Sequence, residues 1–350
     1  MLMNFNIGNR RIGPGEPCYI IAEISCNHHQ NLQTALKLIE EAKAAGADAV
    51  KFQTYTPDTM TLPIRNEHFM IKGTIWEGQT LHDLYKKAYT PWKWFPELSD
   101  RAKSEGIQFF SSPFDLSAVD LLEKLNVPAY KIASFEINHV PLIRKVASLK
   151  KPLIFSTGVA DKSDIELALK TIKEESNDKV ILMKCTSAYP APLCEMNLKM
   201  IPYLSSTFGV PVGLSDHSMN PNVVTAAVAL GAVAIEKHFI LSRKEGGPDA
   251  TFSLEPKELK ELVTSIRETQ EALGEINYSF GPKVAEHRFL MRSIFVSKDI
   301  KKGEKFTDQN ISIVRPSSGL APVHYDSVLS KAALKDIKAG TPLNWDLVEK

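Results

Sequence analysis

A chain of 350 residues in which 43% are hydrophobic can bury a large core, and its length suggests one large domain and a smaller one. The 42 basic and 41 acidic residues nearly cancel, which argues against nucleic acid as a partner because no excess charge is left to build a broad basic face. No apolar run approaches the roughly 20 residues of a membrane span, Met1 to Arg11 lacks the apolar core of a signal peptide, and Cys18, Cys26, Cys185 and Cys194 form no CxxC pair, so reduced thiols and a cytoplasmic location are expected.

Along the chain, short apolar or β-branched runs alternate with longer helical patterns. The predicted strands are Tyr19–Ile24, Ala49–Gln53, Gln108–Ser111, Ala129–Ile132, Leu153–Ser156, Val180–Lys184, Val210–Leu214 and Val233–His238. Helical stretches between and after them include Leu32–Ala45, Trp92–Glu105, Ala118–Leu125, Ser163–Glu175, Pro221–Leu230 and Pro256–Leu273. This repetition predicts an α/β fold, a closed (β/α)8 TIM barrel over residues 1–273. A doubly wound open sheet is the rival, but no GxGxxG follows the first strand. Residues 274–288 read as a linker. Residues 289–350 read as a small terminal domain containing a self-similar pair, Lys298-Asp-Ile-Lys-Lys-Gly303 and Lys335-Asp-Ile-Lys-Ala-Gly340.

Polar residues stand at the end of almost every predicted strand: Glu23; Lys51 and Gln53; Ser111 and Ser112; Lys131 and Ser134; Ser156; Lys184 and Ser187; Ser215 and His217; Glu236 and His238. In a (β/α)8 barrel these ends converge on one mouth, where active sites are built. Lys51, Lys131 and Lys184, with serine hydroxyls beside them, are expected to converge on an anion such as phosphate. His217 and His238 end neighbouring strands, where two imidazoles suit an open site for a divalent ion acting as a Lewis acid, Mn²⁺ foremost. Glu23 stands where it can move a proton or orient a hydroxyl. Asp249, in the loop Gly246-Gly-Pro-Asp249, can meet substrate hydroxyls.

The ordered motifs Ile20-Ile-Ala-Glu-Ile24 with Asn27-His28, Val50-Lys-Phe-Gln53, Lys131-Ile-Ala-Ser134, Lys184-Cys-Thr-Ser-Ala-Tyr-Pro190, Gly213-Leu-Ser-Asp-His217, Glu236-Lys-His-Phe239 and Gly247-Pro-Asp249 with Ser253-Leu-Glu-Pro256 resemble the sialic acid synthase family over essentially the whole chain. The paired KDIKxG segments, Arg315-Pro316 and Gly319-Leu320-Ala-Pro322 resemble the antifreeze-like (SAF) domain that ends these synthases. Thr74-Ile-Trp-Glu-Gly78, Asp83-Leu-Tyr85, Tyr89-Thr-Pro-Trp92 and Gly246–Ser253 are most similar to the pseudaminic acid branch. That branch uses 2,4-diacetamido-2,4,6-trideoxy-L-altrose. One departure bears on the sugar: Asn27-His28 is followed by His29-Gln30, where many N-acetylneuraminate synthases read Asn-His-Asn-Gly.

The resemblance implies a transferase that condenses phosphoenolpyruvate with an open-chain diacetamido sugar and releases phosphate. It assigns a divalent ion (Mn²⁺, with Mg²⁺ or Co²⁺ as substitutes) to His217 and His238. Lys51, Lys131, Ser134, Ser156, Ser187 and Ser215 would bind phosphoenolpyruvate, with Gln53 and Ser111 also expected on the substrate. Glu23 would act near the reacting centre, and Glu136, Tyr189, Glu236 and Asp249 would face the sugar or metal-bound water. Arg315 would reach the sugar in the barrel of a partner subunit, which implies a domain-swapped homodimer. N-acetylneuraminate and legionaminate synthases are the alternatives within the family. A deoxy-sugar-phosphate synthase would want more rim arginines, and a non-catalytic glycan-binding protein would not need these lysines, histidines and acids.

Overall fold

The computed structural model describes residues 2–73 and 77–350; residues 74–76, part of the Thr74–Gly78 segment singled out above, lie outside the described residues. An N-terminal hairpin, β1 (Phe5–Ile7) and β2 (Arg10–Ile12), precedes the parallel strands β3 (Tyr19–Glu23), β4 (Ala49–Thr54), β5 (Gln108–Pro113), β6 (Tyr130–Ile132), β7 (Leu153–Ser156), β8 (Val180–Cys185), β9 (Val212–Asp216) and β10 (Ala234–His238). β3 to β10 hydrogen-bond in chain order and β10 closes onto β3, so the sheet is a complete barrel. Helices from both ends of the chain order cover it, from α1 (Leu32–Ala44) through α2 (Pro57–Met60), α3 (Leu81–Ala88), α4 (Phe95–Glu105), α5 (Leu116–Lys124), α6 (Val140–Ser148), α7 (Lys162–Glu174), α8 (Met200–Phe208) and α9 (Pro221–Ala229) to α10 (Pro256–Leu273).

The strands are apolar almost throughout because both of their faces are buried, one in the barrel and one under helices. Tyr19, Phe52, Phe110, Tyr130 and Phe155 are fully buried and belong to one continuous core. Local chemistry sets the boundaries. Asn31 caps α1 through Oδ1, which accepts from the amides of Gln33 and Thr34 at 2.9 and 3.2 Å. Gly106 ends α4 in the left-handed conformation at φ 66° and turns the chain into β5. β9 starts two residues later than expected because Pro211 has no amide to donate, although its carbonyl still accepts from Leu182 at 3.1 Å.

The hairpin sits against the amino ends of the strands, where Ile7 and Ile12 are fully buried and Gln108, which opens β5, donates to the Asn9 side chain at 3.0 Å. Asp48, just before β4, fixes the same end: its carboxylate takes Arg10 at 2.6 Å, Arg267 of α10 at 3.2 Å and the Ile20 amide at 2.9 Å.

The chain divides into two compact units, residues 1–274 and 275–350. In the second, β11 (Ser293–Val296) pairs antiparallel with β12 (Ile311–Val314), and Ile294, Val296, Phe306, Ile311 and Leu343 form its core. The two self-similar segments pack on each other reciprocally. Ile300 and Ile337 exchange both backbone hydrogen bonds, at 2.9 and 2.8 Å. Asp299 accepts from the Ala339 amide and pairs with Lys338, while Asp336 accepts from the Lys302 amide and pairs with Lys301. The repeat is thus an internal two-fold arrangement of two capped turns.

Candidate active site

Side chains alternate along each strand, and the register of neighbouring strands decides which residues share the barrel interior. Glu23 lies opposite Lys51 and His238, and Gln53 opposite Ser112. Lys131 lies opposite Ile154, two residues before Ser156, and Cys185 opposite Ser215. These residues point to the mouth.

Two expectations fail on this alternation. Ser111 lies opposite Phe52 and Tyr130 on the outer face, where it is fully buried and bonded to the Thr54 hydroxyl at 2.6 Å, so it cannot meet a substrate in the mouth. Ser112, one residue on, is the inward serine and accepts from Lys51 Nζ at 3.3 Å. Lys184 lies opposite Leu214 and also turns outward, donating to the Cys185 carbonyl at 2.6 Å and the Thr186 hydroxyl at 3.0 Å. The inward position beside it belongs to Cys185. The anion site therefore rests on two lysines.

Those two form a buried network with two acids. Lys51 Nζ is 2.8 Å from Glu23 Oε2 and 3.5 Å from Glu236 Oε1, and Lys131 Nζ is 3.2 Å from that same Oε1. Gln53 Nε2 donates to Glu23 Oε1 at 2.9 Å and to Ser25 at 3.0 Å, and Ser215 donates to Glu236 at 3.3 Å. All four charged groups are at most 4% exposed. Burial alone would raise the Glu236 carboxyl, but Lys131 and then Lys51 overcome it and hold it at about 2. Burial would also pull Lys51 down, yet Glu23 and Glu236 raise it. In Lys131 burial prevails and the pKa falls.

Beside this network, Ser134, Ser187 and Cys185 pack closely around Gly158, two residues after Ser156. A Cβ on Gly158 would stand 2.2 Å from Ser187 Oγ, 2.9 Å from Ser134 Oγ and 3.1 Å from Cys185 Sγ, and the Gly158 amide donates to Ser134 Oγ at 3.1 Å. Ser156 Oγ is buried without a partner among the described residues, as is Glu236 Oε2. Buried polar atoms are rarely left so, and here both belong to groups that face the mouth.

His217 and His238 stand 5.3 Å apart, centroid to centroid. Each has Nδ1 turned to an acceptor: His217 to the Thr186 carbonyl at 3.0 Å, His238 to Asp249 Oδ2 at 3.4 Å. The backbone carbonyl on His217 Nδ1 fixes the tautomer that leaves its Nε2 a lone pair, the arrangement of a metal-ligating histidine, whereas His238 Nδ1 lies near Asp249 at ion-pair distance without a hydrogen bond among the described residues. Among the described residues no group of three or more His, Cys, Asp and Glu forms a complete cage. Two imidazoles with places left for oxygen ligands fit an open divalent site. Tyr189 and Phe252 pack on the pair, with the Tyr189 ring 4.4 Å from His217 and Phe252 4.9 Å from His238.

Asp249 is held in place by a chain of bonds from the first strand loop. Asn27 Nδ2 donates to the Phe239 carbonyl and to Ser253 Oγ, both at 2.9 Å, and Ser253 Oγ donates to the Asp249 carbonyl at 2.7 Å. Burial would raise the Asp249 carboxyl, but His238, Ser25 and Cys26 bring it below its ordinary value. His29 lies over the same loop: a Cβ on Gly247 would be 2.9 Å from its Cε1, and its Nε2 is 3.5 Å from Glu245. The His29-Gln30 departure is therefore at the mouth. Glu136 is pushed up to about 7 by burial, with Lys131 opposing. Arg315 is exposed in the second unit.

Ser25, Asn27, Gly158 and Cys185 were missed as site residues, and Ser112, though noted at its strand end, was passed over for Ser111. Cys185 Sγ is 3.9 Å from His217 Nδ1; burial raises the thiol, but His217 and Lys131 bring it to about 7. The KCTS motif was the one signal for it.

A closed parallel barrel with buried ionisable groups and paired imidazoles at the carboxyl ends of its strands is the architecture of a barrel enzyme. The chain belongs to the NeuB family, which it matches over residues 38–278, and residues 291–349 match the SAF domain. It is 46% identical to a pseudaminic acid synthase of Campylobacter jejuni over 325 residues, 93% of this chain and 95% of that one. An N,N'-diacetyllegionaminic acid synthase of the same species is 40% identical over 323 residues, 91% and 96% of the two chains. The crystal structure of an N-acetylneuraminic acid synthetase from Leptospira borgpetersenii in complex with citrate superposes with a TM-score of 0.74 at 34% identity, covering 82% of this chain and 95% of that one. The fold and the family expected from the motifs are borne out.

Proposed function

We propose that this chain is a pseudaminic acid synthase that condenses phosphoenolpyruvate with open-chain 2,4-diacetamido-2,4,6-trideoxy-L-altrose and releases phosphate. The observation that carries the reading is the juxtaposition of two imidazoles, each with Nδ1 beside an oxygen acceptor, with a buried cluster of two lysines and two glutamates. The 46% identity to a pseudaminic acid synthase supports the branch.

His217 and His238 would hold the divalent ion, Mn²⁺ in our reading, which when bound supplies a Lewis acid for the sugar aldehyde and two positive charges in a pocket whose own four charges cancel. Lys51 and Lys131 bind the anionic groups of phosphoenolpyruvate, with Ser134, Ser156, Ser187 and Ser215 as hydrogen-bonding partners. Glu136, Tyr189 and Asp249 orient the sugar so that its C1 faces C3 of phosphoenolpyruvate. C3 bonds to C1 and the aldehyde oxygen becomes a hydroxyl; water adds at C2, and the C2–O bond to phosphate breaks as C2 becomes a ketone, so that the water's two protons end on the new hydroxyl and on the departing phosphate. Glu236 Oε2 accepts a proton of that water. Once the substrate anion draws Lys51 and Lys131, their hold on Glu236 weakens and its basicity rises. Glu23, held by Lys51 and Gln53, positions the reacting ends.

No helix among the described residues is long and apolar enough to cross a membrane, and the four cysteines are free; the reading places the enzyme in the cytoplasm. It also places the active unit in a domain-swapped homodimer, with Arg315 entering the partner's mouth. Ile276 and Tyr278, fully exposed in the single chain, support a second copy against this segment.

The test is to supply phosphoenolpyruvate labelled with ¹⁸O in the bridging oxygen, the trideoxy-altrose and Mn²⁺, and to analyse both products by mass spectrometry. The reading expects pseudaminic acid and phosphate that retains the label. Unlabelled phosphate, or no nonulosonic acid, would overturn it. Product only from the legionaminic precursor would favour the second reading, which the 40% identity to a legionaminic acid synthase supports.

A further inference from the structure

Behind the two histidines, on the helix-facing side of the same strands, lies a second buried ion pair. Asp216 is fully buried and Lys237 is 3% exposed, and their Oδ2 and Nζ are 2.9 Å apart. They stand directly opposite each other in the register of β9 and β10, each one residue from a histidine. Lys237 Nζ also donates to the Ser218 carbonyl, and Asp216 Oδ1 accepts from the Ser218 amide at 2.8 Å. The residue before His217 and the residue after it are thus both tied to the residue before His238. The pair borders a cleft of about 360 Å³ lined by Val224, Leu254 and Leu262 together with Asn220, Glu258, Glu261 and Ser265, yet both side chains are themselves almost wholly withdrawn from solvent.

Desolvation makes such a pair a poor source of stability, and replacing both partners by apolar residues of similar volume is often neutral or stabilising. Its presence between the two histidine-bearing strand ends points to another role. Thr186 and Asp249 stand beside the two imidazole rings, but neither sets the distance between the two backbones that carry them.

We infer that Asp216 and Lys237 are positioning residues that lock the ends of β9 and β10 and thereby set the spacing of His217 and His238 for one ion. The inference rests on the reading of these histidines as ion ligands. Neither Asp216 nor Lys237 touches the mouth. They act through the strands, so their loss weakens ion binding while the barrel stays folded.

The experiment is direct Mn²⁺ binding, followed by electron paramagnetic resonance on the full chain without substrates, alongside thermal melting. The proteins are wild type, His217→Ala, Lys237→Met, Asp216→Leu with Lys237→Met, and Lys237→Arg. The expected result is ion binding weakened by roughly 10- to 100-fold in the double variant, with melting within a few degrees of wild type and partial recovery in Lys237→Arg, which keeps the pair. The double variant covers the case in which Lys237→Met unfolds by leaving Asp216 buried and alone. Wild-type affinity in a folded double variant would overturn the inference while His217→Ala still loses the ion. If His217→Ala binds Mn²⁺ as wild type does, the ion site itself fails, and this inference fails with it.

Discussion

The two ends of the barrel treat buried charge in opposite ways. At the amino ends, Asp48 accepts from Arg10, Arg267 and the Ile20 amide, so both carboxylate oxygens are engaged and the hairpin, β3 and α10 are tied together. At the carboxyl ends, Glu236 is more deeply buried, shares one oxygen among Lys51, Lys131 and Ser215, and leaves the other, like Ser156 Oγ, without a partner among the described residues. The first arrangement completes a structure. The second leaves donors and acceptors for something that is not protein, which is why one end reads as stability and the other as chemistry.

The sharpest break in that comparison comes from the histidines. His217→Ala should lower kcat/KM for Mn²⁺-dependent phosphate release by about 1,000-fold or more, the scale of the several kcal/mol that a Lewis-acidic ion contributes. A metal-independent, fully active variant would remove the ligand assignment. Lys131→Met acts on both function and fold: it should raise KM for phosphoenolpyruvate and, by stripping Glu236 of a partner, cost about 3–5 kcal/mol in denaturant unfolding. An unchanged KM would place the anion elsewhere.

Glu136 gives a pH signature peculiar to the mouth. Burial raises its carboxyl from 4.5 to about 7 in the folded chain, so the folded state holds the proton more tightly. Its contribution to stability is greatest below pH 4.5 and falls as pH rises toward 7, by about 3 kcal/mol at most. Glu136→Gln should flatten the stability profile across that window; an unaltered slope would show that the carboxyl is not desolvated. Asp48→Asn, at the opposite end, should cost only about 1–3 kcal/mol and leave kcat and KM of the folded enzyme unchanged. A large kcat effect there would erase the distinction between the two ends.

Much of this was legible from residue spacing. The eight-fold repetition of strand and helix, the strand-end polar residues and the paired KDIKxG turns all reflect local periodicity, and the structure places them as a barrel, a mouth and a reciprocal pair of turns. What was hidden lies at a resolution of one residue. Adjacent serines at the end of β5 look alike in sequence, yet only Ser112 faces inward; Lys184 looks like Lys131, yet register turns it out and Cys185 in. Strand parity depends on where pairing begins, and no local signal states that. The Asp216–Lys237 pair was invisible for the same reason, since its residues alternate with His217, Glu236 and His238 and read as part of the same polar cluster. Asn27 and Ser253 are 226 positions apart in the chain, and their bond follows only from barrel closure.

The central claim is that this mouth joins phosphoenolpyruvate to the pseudaminic acid precursor in an ion-dependent reaction. Its most direct test is inorganic phosphate release with Mn²⁺, offering in parallel the trideoxy-altrose diacetamide, the legionaminic precursor and N-acetylmannosamine, each with and without chelator. The account predicts release with the altrose sugar that chelation abolishes. Release confined to another sugar would contradict the substrate assignment, and silence with all three in folded, Mn²⁺-loaded protein would contradict the account as a whole.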